Sequence, residues 1–344
     1  MSEPILVIGP SWVGDMVMAQ SLYITLKENS EAALDVVAPS WSLPLLSRMP
    51  QVREGIELPV THGELGWNAR RDLGRALRRK AYGRAIVVPR SFKSALVPWH
   101  ARIPVRTGYR GEMRYGLLND IRPLDEELLT RTVQRFVALG YPPGASLPPP
   151  VPHPRLSVDR DNQIRLSRSL GLRPDRPAVA LMPGAEFGPA KCWPLAHFAE
   201  TARTLVGSGY QVWVLGSAKE REVGAAVIRS AGESAFNLCG KTGLEDVVDL
   251  LALARHAISN DSGLLHVAAA AGCNVIGIYG SSTPDYTPPL SDRAAVLYLN
   301  LECSPCFRRH CPLGHLRCLR EIAPRQALDA VERFESGSLE EPST

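Results

Sequence analysis

An α/β fold, two Rossmann-like domains whose parallel sheets face a central cleft, is predicted by three observations. Short apolar runs with strand character alternate with stretches of helical periodicity. The alternation stops at a proline-rich stretch and then restarts. The chain has 344 residues and is 45% hydrophobic, enough to fill two cores.

The elements follow in order. Ile5-Leu6-Val7-Ile8 is a short buried strand, Gly9 to Asp15 a loop, and Met16 to Lys27 a helix by its apolar spacing. Leu34 to Ala38 is a second strand, Arg70 to Lys80 a basic helix, and Arg84 to Val88 another strand, closed by Pro89. Strands and helices in alternation imply parallel pairing with right-handed crossovers. Tyr141 to Pro154 contains seven prolines and reads as a stiff linker. Beyond it, Ala178 to Met182 and Gln211 to Gly216 are strands, with a helix over Leu195 to Val206 between them. An apolar strand-like run ends at Ser259, a small-residue helix runs to Gly272, and Asn274 to Gly280 is the next strand. Pro324 to Phe334 reads as a closing helix and Glu335 to Thr344 as a disordered tail. The domain division this gives is 1–155, 156–323, and 324–344 for the helix, which returns toward the first domain, and the tail.

The net charge is only +4, but its distribution is uneven. Arg70 to Arg114 carries thirteen Lys/Arg and two acids, Asp72 and Glu112. Such a segment suits nucleic acid, anionic lipid or a phosphorylated ligand. No apolar run approaches the roughly 18 residues of a membrane-spanning helix, and the N-terminus reads as a strand, not a signal peptide. A cytoplasmic or peripheral protein is the expectation. Seven cysteines in a reducing compartment favour thiols or metal ligands over disulfides.

Four loops follow strands and carry chemistry. In Asn260-Asp261-Ser262-Gly263, Asp261 or Ser262 is an N-cap and Gly263 admits a ligand to the backbone. The helix that starts there aims free N–H groups and its positive dipole end at an anion; an ordinary capped helix is the alternative. The loop Gly9-Pro10-Ser11-Trp12-Val13-Gly14-Asp15 is neither a dinucleotide fingerprint nor a P-loop, since Asp15 stands where Lys would be needed. A carboxylate there suits a general base, or simply complements the helix dipole. Pro183 to Pro194 offers Lys191 to a diphosphate, and Glu220, after the next strand, accepts from ribose hydroxyls or caps its own helix.

Taken together, these motifs resemble the ADP-heptose:lipopolysaccharide heptosyltransferases over nearly the whole chain. The residues that carry the resemblance are Ile8 to Asp15, Ser91 to Leu96, Thr107 to Gly116, Pro183 to Pro194, and Asn260 to Gly263 with His266. The resemblance implies a GT-B fold and an inverting, cation-independent transfer of L-glycero-D-manno-heptose from ADP-heptose to the first heptose of heptosyl-Kdo2-lipid A. It implies Asp15 as the base and Lys191 as the diphosphate ligand. It also implies a donor pocket of Gly184, Glu186, Glu220, Asp261, Ser262, Gly263 and His266, where His266 either touches the ligand or is a satisfied, partly buried histidine. Acceptor contacts then fall to Ser11, Trp12, Gly14, Arg90, Lys93, Arg110 and Arg114, and the protein would touch the cytoplasmic face of the inner membrane of a Gram-negative bacterium peripherally. The helix over Arg70 to Lys80 is either a solvated face or a contact with anionic lipid.

Other readings remain. One is the first heptosyltransferase of the pathway or a sister enzyme with another nucleotide sugar. Another is a non-catalytic nucleotide- or RNA-binding protein, but the basic stretch lacks a regular aromatic interleave and any RNA-binding motif, so no nucleic-acid partner is expected. Cys303, Cys306, Cys311 and Cys318 give C-x2-C-x4-C-x6-C with His310 and His315 interspersed. They are free or redox-active thiols, or a structural metal site near an acceptor-side loop. No metal is expected in the chemistry.

Overall fold

The computed structural model describes residues 3–60 and 63–337. The chain divides into two compact units, with the boundary between Ser157 and Val158.

The first unit runs β1 (Ile5–Ile8), α1 (Val13–Asn29), β2 (Leu34–Ala38), α2 (Leu43–Leu46), β3 (Glu54–Glu57), α3 (Trp67–Leu77), β4 (Arg84–Val87), α4 (Leu96–His100), β5 (Val105–Tyr109), β6 (Asp120–Arg122) and α5 (Thr132–Ala138). Its strands lie in the order β3-β2-β1-β4-β5-β6, all parallel. The second unit runs α6 (Arg160–Ser169), β7 (Ala178–Met182), α7 (Leu195–Gly207), β8 (Gln211–Val214), α8 (Arg221–Ile228), β9 (Ala235–Asn237), α9 (Leu244–Leu253), β10 (His256–Asn260), α10 (Gly263–Ala271), β11 (Asn274–Ile278), β12 (Ala294–Leu297), α11 (Arg317–Arg320) and α12 (Pro324–Ser336). Its order, β12-β11-β10-β7-β8-β9, is the same arrangement again. Each sheet therefore reverses its winding direction once, between β1 and β4 and between β7 and β10. In open sheets of this kind ligands bind at the carboxyl ends of the strands beside that switch.

The central strands are legible because they are buried on both faces. β1, β2, β7 and β8 are buried along their whole length, as parallel strands covered by helices must be. The expected strands agree with β1, β2, β4, β7, β8, β10 and β11 to within two residues at either end. β3 (EGIE) and β6 (DIR) escape sequence reading because they are short, polar edge strands with no hydrophobic run. Helix α1 starts at Val13, so Asp15 lies in its first turn and not in the preceding loop. The basic helix starts at Trp67 and ends in a 3-10 turn at Arg78–Lys80.

The proline-rich stretch is fastened at its end. Gln20, fully buried on α1, donates to Arg155 O and accepts from Arg155 N–H, and Ser157 N–H donates to Arg48 O. In the second unit, α12 packs on α7, β11 and β12, burying Ala327, Ala330 and Val331 in the core. Glu335 and Ser336 complete that helix, and Glu335 pairs with Arg255 at 2.5 Å and with the buried His256 at 2.6 Å. These two residues are helical where a tail was expected; positions 338–344 lie outside the described residues.

Candidate active site

In the second unit, the loops after β7, β10 and β11 converge at the switch. Asn260 ends β10 fully buried and is satisfied on both sides of its amide. Its Oδ1 accepts from Trp193 N–H at 2.8 Å, and its Nδ2 donates to Pro183 O at 2.6 Å. Both ends of the Pro183–Trp193 loop are thereby latched to β10. Trp193 itself is buried, and its indole N–H donates to Ile322 O. These anchors fix Lys191, whose Nζ lies 2.5 Å from Asp261 Oδ2 and 5.2 Å from the Phe187 ring centre. Asp261 is buried and accepts a second hydrogen bond at the same oxygen from Ser282 Oγ. Lysine and carboxylate are thus held as a mostly desolvated pair at the strand ends.

Neither Asp261 nor Ser262 caps α10 with its side chain. Ser262 occupies the N-cap position but makes no capping bond, and its Oγ faces Ser259 Oγ at 3.2 Å. Asp261 is committed to Lys191 and Ser282. The first amides of α10 therefore keep their capacity for an incoming anion, and Ser262, Gly263 and Leu264 remain half-exposed. His266, one turn on, is buried, and its Nδ1 has no hydrogen-bond partner among the described residues. Burial holds its imidazole below the ordinary histidine value, Lys191 adds to that, and Asp261 opposes it.

Glu220 caps its own helix. Its carboxylate accepts from Ser217 N–H at 2.6 Å. It also lies directly over two strand-end glycines: a Cβ at Gly184 would stand 1.3 Å from Oε1, and one at Gly216 would stand 2.8 Å from Oε2. Gly184 is therefore a glycine because the carboxylate of Glu220 fills the space of its side chain. Glu186 is exposed and pairs loosely with Lys219 at 3.7 Å, across the same two loops.

The four C-terminal cysteines line one small cavity of about 20 Å3 with His315, Ala190 and Ser281. Cys311 is held below its ordinary thiol value by backbone N–H groups, that of Leu316 first. Among the described residues, however, no group of three or more His, Cys, Asp or Glu side chains is placed to hold a metal ion. Of the readings open for Cys303, Cys306, Cys311 and Cys318, a structural metal is not supported among the described residues, and all four are free thiols. The loop this segment meets carries Lys191: Ala190 N–H donates to Arg309 O at 3.1 Å, and a Cβ at Gly188 would meet that oxygen at 2.7 Å.

In the first unit, Asp15 is half-buried in the first turn of α1, with Gly14 buried and Ser11 and Trp12 exposed before it. Across the switch, the loops after β4 and β5 are locked together. Glu112 accepts from Phe92 N–H at 2.7 Å, and a Cβ at Gly111 would strike Arg90 O at 2.3 Å. Arg90 and Arg110 are exposed here; Arg90 pairs with Glu126 at 3.3 Å, and Lys93 donates to Glu64 O at 3.1 Å. Arg114 departs from the expected acceptor contact. It is 2% exposed and donates to Pro89 O, Ser91 O, Ser94 Oγ and Tyr109 O. Burial lowers its guanidinium to about 10. Arg114 is the internal clamp of the β4 and β5 loops, whereas Arg90 and Arg110 stay exposed and Lys93 is half-buried.

Sequence reasoning missed Asn260 and Ser282 as site residues. Asn260 sat inside a quoted motif, whereas Ser282 carried no local signal, since only folding brings the end of β11 beside β10.

The model of glycosyltransferase family 9 (heptosyltransferase) matches residues 70–317. The chain is 47% identical to lipopolysaccharide heptosyltransferase 2 of Salmonella typhimurium, covering 95% of this chain and 97% of that one. It is 42% identical to lipooligosaccharide heptosyltransferase 2 of Haemophilus influenzae, covering 96% and 99%. The solved structure of the E. coli ADP-heptose lipopolysaccharide heptosyltransferase II superposes with a TM-score of 0.86 at 44% identity, covering 97% of this chain and 99% of that one. With two Rossmann-like units of the GT-B type and these relatives, the chain belongs to glycosyltransferase family 9, the heptosyltransferases.

Proposed function

We propose that this enzyme transfers L-glycero-D-manno-heptose from ADP-heptose to the first heptose of heptosyl-Kdo2-lipid A, with inversion, during assembly of the lipopolysaccharide inner core. The observation that carries this reading is the latched Lys191 beside the uncapped start of α10. The donor leaves as ADP, so its departure is fast only if charge growing on the diphosphate is met by fixed positive groups. Lys191 and the first amides of α10 supply that charge, and the chemistry is expected to proceed with divalent ions chelated. In the ground state Asp261 neutralises Lys191; the arriving diphosphate takes over that lysine, and Ser282 retains the carboxylate. Glu220, with Gly184 beneath it, receives the ribose hydroxyls. Asp15 accepts the proton of the acceptor hydroxyl as that oxygen attacks the anomeric carbon. Arg90, Lys93 and Arg110 bind the acidic groups of the acceptor.

Among the described residues no helix is long and apolar enough to cross a membrane. The lipid acceptor is met instead by peripheral contact at the cytoplasmic face of the inner membrane. The test is a transfer assay with ADP-L-glycero-β-D-manno-heptose, heptosyl-Kdo2-lipid A and EDTA. Acceptor-dependent ADP release with a gain of one heptose in mass is the expected result. Transfer only to the unheptosylated acceptor would reassign the chain to the first heptose addition. No transfer to either acceptor would overturn the donor assignment.

A further inference from the structure

Five of the exposed large apolar side chains of the first unit lie between Leu65 and Met113, interspersed with its arginines. Three of them gather at α3 and α4. Leu65, Trp67 and Trp99 are 50%, 42% and 40% exposed. Trp67 and Trp99 both stack edge-on against His100, with ring centres at 5.5 Å and 4.7 Å. The two indoles, 32 residues apart in sequence, therefore form one surface cluster with His100 between them.

The cluster stands on a rigid base. A Cβ at Gly74 would meet His100 Cβ and Val97 O at 2.6 Å, so α3 and α4 touch backbone to backbone. Arg70, buried, donates from Nε to Leu65 O and pins the loop that carries Leu65. Lys93 holds the adjacent Glu64 carbonyl, so the cluster is continuous with the loop after β4. Arg75, Arg78, Arg79 and Arg102 are exposed around it, and Asp72 is the single acid of α3. Their field is felt locally: burial first, then Arg75, Arg71 and Arg78, hold the His100 imidazole below its ordinary value.

Half-exposed tryptophans ringed by arginines match the chemistry of a membrane interface, where indoles settle at headgroup depth and guanidinium groups meet anionic lipid. We infer that the α3–α4 face, with Trp67, Trp99 and Leu65 as its wedge and Arg75, Arg78 and Arg79 as its cationic rim, docks this enzyme on an anionic bilayer. This rests on the reading that the acceptor is a lipid, and it places the docking face next to Lys93 on the acceptor-side loop.

The test uses the full-length chain and co-sedimentation with vesicles of phosphatidylethanolamine and phosphatidylglycerol in equal parts, against vesicles of phosphatidylcholine alone. Binding to the anionic vesicles only is the expected result. Each arginine lost should weaken partitioning about fivefold, so Arg75→Gln with Arg79→Gln should weaken it about thirtyfold. Acyl-chain-brominated lipid should quench the wild-type tryptophan fluorescence, and Trp67→Phe with Trp99→Phe should remove most of that quenching. Unchanged partitioning of the arginine variant, binding without quenching, or tight RNA binding in place of vesicle binding would overturn the inference. A deacylated, water-soluble acceptor separates the two proposals. The variants should transfer to it at the wild-type rate; loss of that transfer would make this face part of the acceptor site and overturn the membrane assignment. Failure of the wild type on both acceptors would sink the proposed reaction and leave the vesicle result standing.

Discussion

The two units repeat one topology but spend their switch points differently. At the β7/β10 switch Asn260, Asp261 and Ser282 are buried and satisfied: Asn260 latches a loop, Asp261 holds Lys191, and Ser282 holds Asp261. At the β1/β4 switch the Asp15 carboxylate is half-buried and the cations Arg90 and Arg110 stand in solvent. Arg114, a buried cation there, is tied to the backbone carbonyls of Pro89, Ser91 and Tyr109. A compact diphosphate favours a prebuilt, desolvated pocket in which each charge counts for more. A large, branched, multiply charged acceptor favours an exposed rim of arginines on a stiff frame.

The sharpest way to break this comparison is at Asp15. Asp15→Asn should fold normally and lose between about a hundredfold and ten-thousandfold in turnover, the usual worth of a general base. Melting temperature and ADP release measure the two effects, and near-normal turnover would remove Asp15 from the mechanism. Next in size is Lys191→Met. It should cost about a hundredfold to a thousandfold in kcat/KM for the donor, and a few kcal/mol of stability by leaving Asp261 buried and unpaired. The double variant with Asp261→Asn should regain the stability without the activity, by denaturant unfolding and transfer assay. If the double variant is no more stable than the single one, the pair is not the unit described here.

Smaller effects probe the frame. Arg114→Lys should destabilise by about 2 kcal/mol, because an ammonium cannot reach the fork of carbonyls that a guanidinium spans. Chemical denaturation reads this directly, and a loss of acceptor affinity at unchanged stability would contradict the clamp assignment. Acid sensitivity comes next. His266, His256 and His100 are all depressed, with burial the first cause in each. Below about pH 6.5 the unfolded chain takes up protons that these rings, two buried and His100 half-buried, refuse, so stability is full above that value and falls as the pH drops. Linkage limits the slope to at most about 1.4 kcal/mol per pH unit for each histidine, and thermal melts between pH 7.5 and 5 should show it. His266→Gln should flatten part of the slope. Smallest of all, Arg110→Ala should raise the acceptor KM about threefold at low salt and less at high salt, as an exposed cation does.

What the sequence determined by itself was the repeated α/β architecture and the loops that carry chemistry. Both follow from local signals: buried parallel strands read as apolar runs, and Gly9, Gly184 and Gly263 lie just beyond strand ends. Tertiary structure decided which residues of each motif are buried and which stay exposed. Arg110 and Arg114 are four residues apart in one basic motif, yet one is exposed and the other 2% exposed, because the β4 loop folds over Arg114. Ser282 joins Asp261, and Trp67 joins Trp99, only through parallel pairing and helix packing over long sequence separations. Charge and periodicity are properties of a segment. Burial and hydrogen-bond partners belong to the folded surface, and there the same arginine becomes either a clamp or a contact.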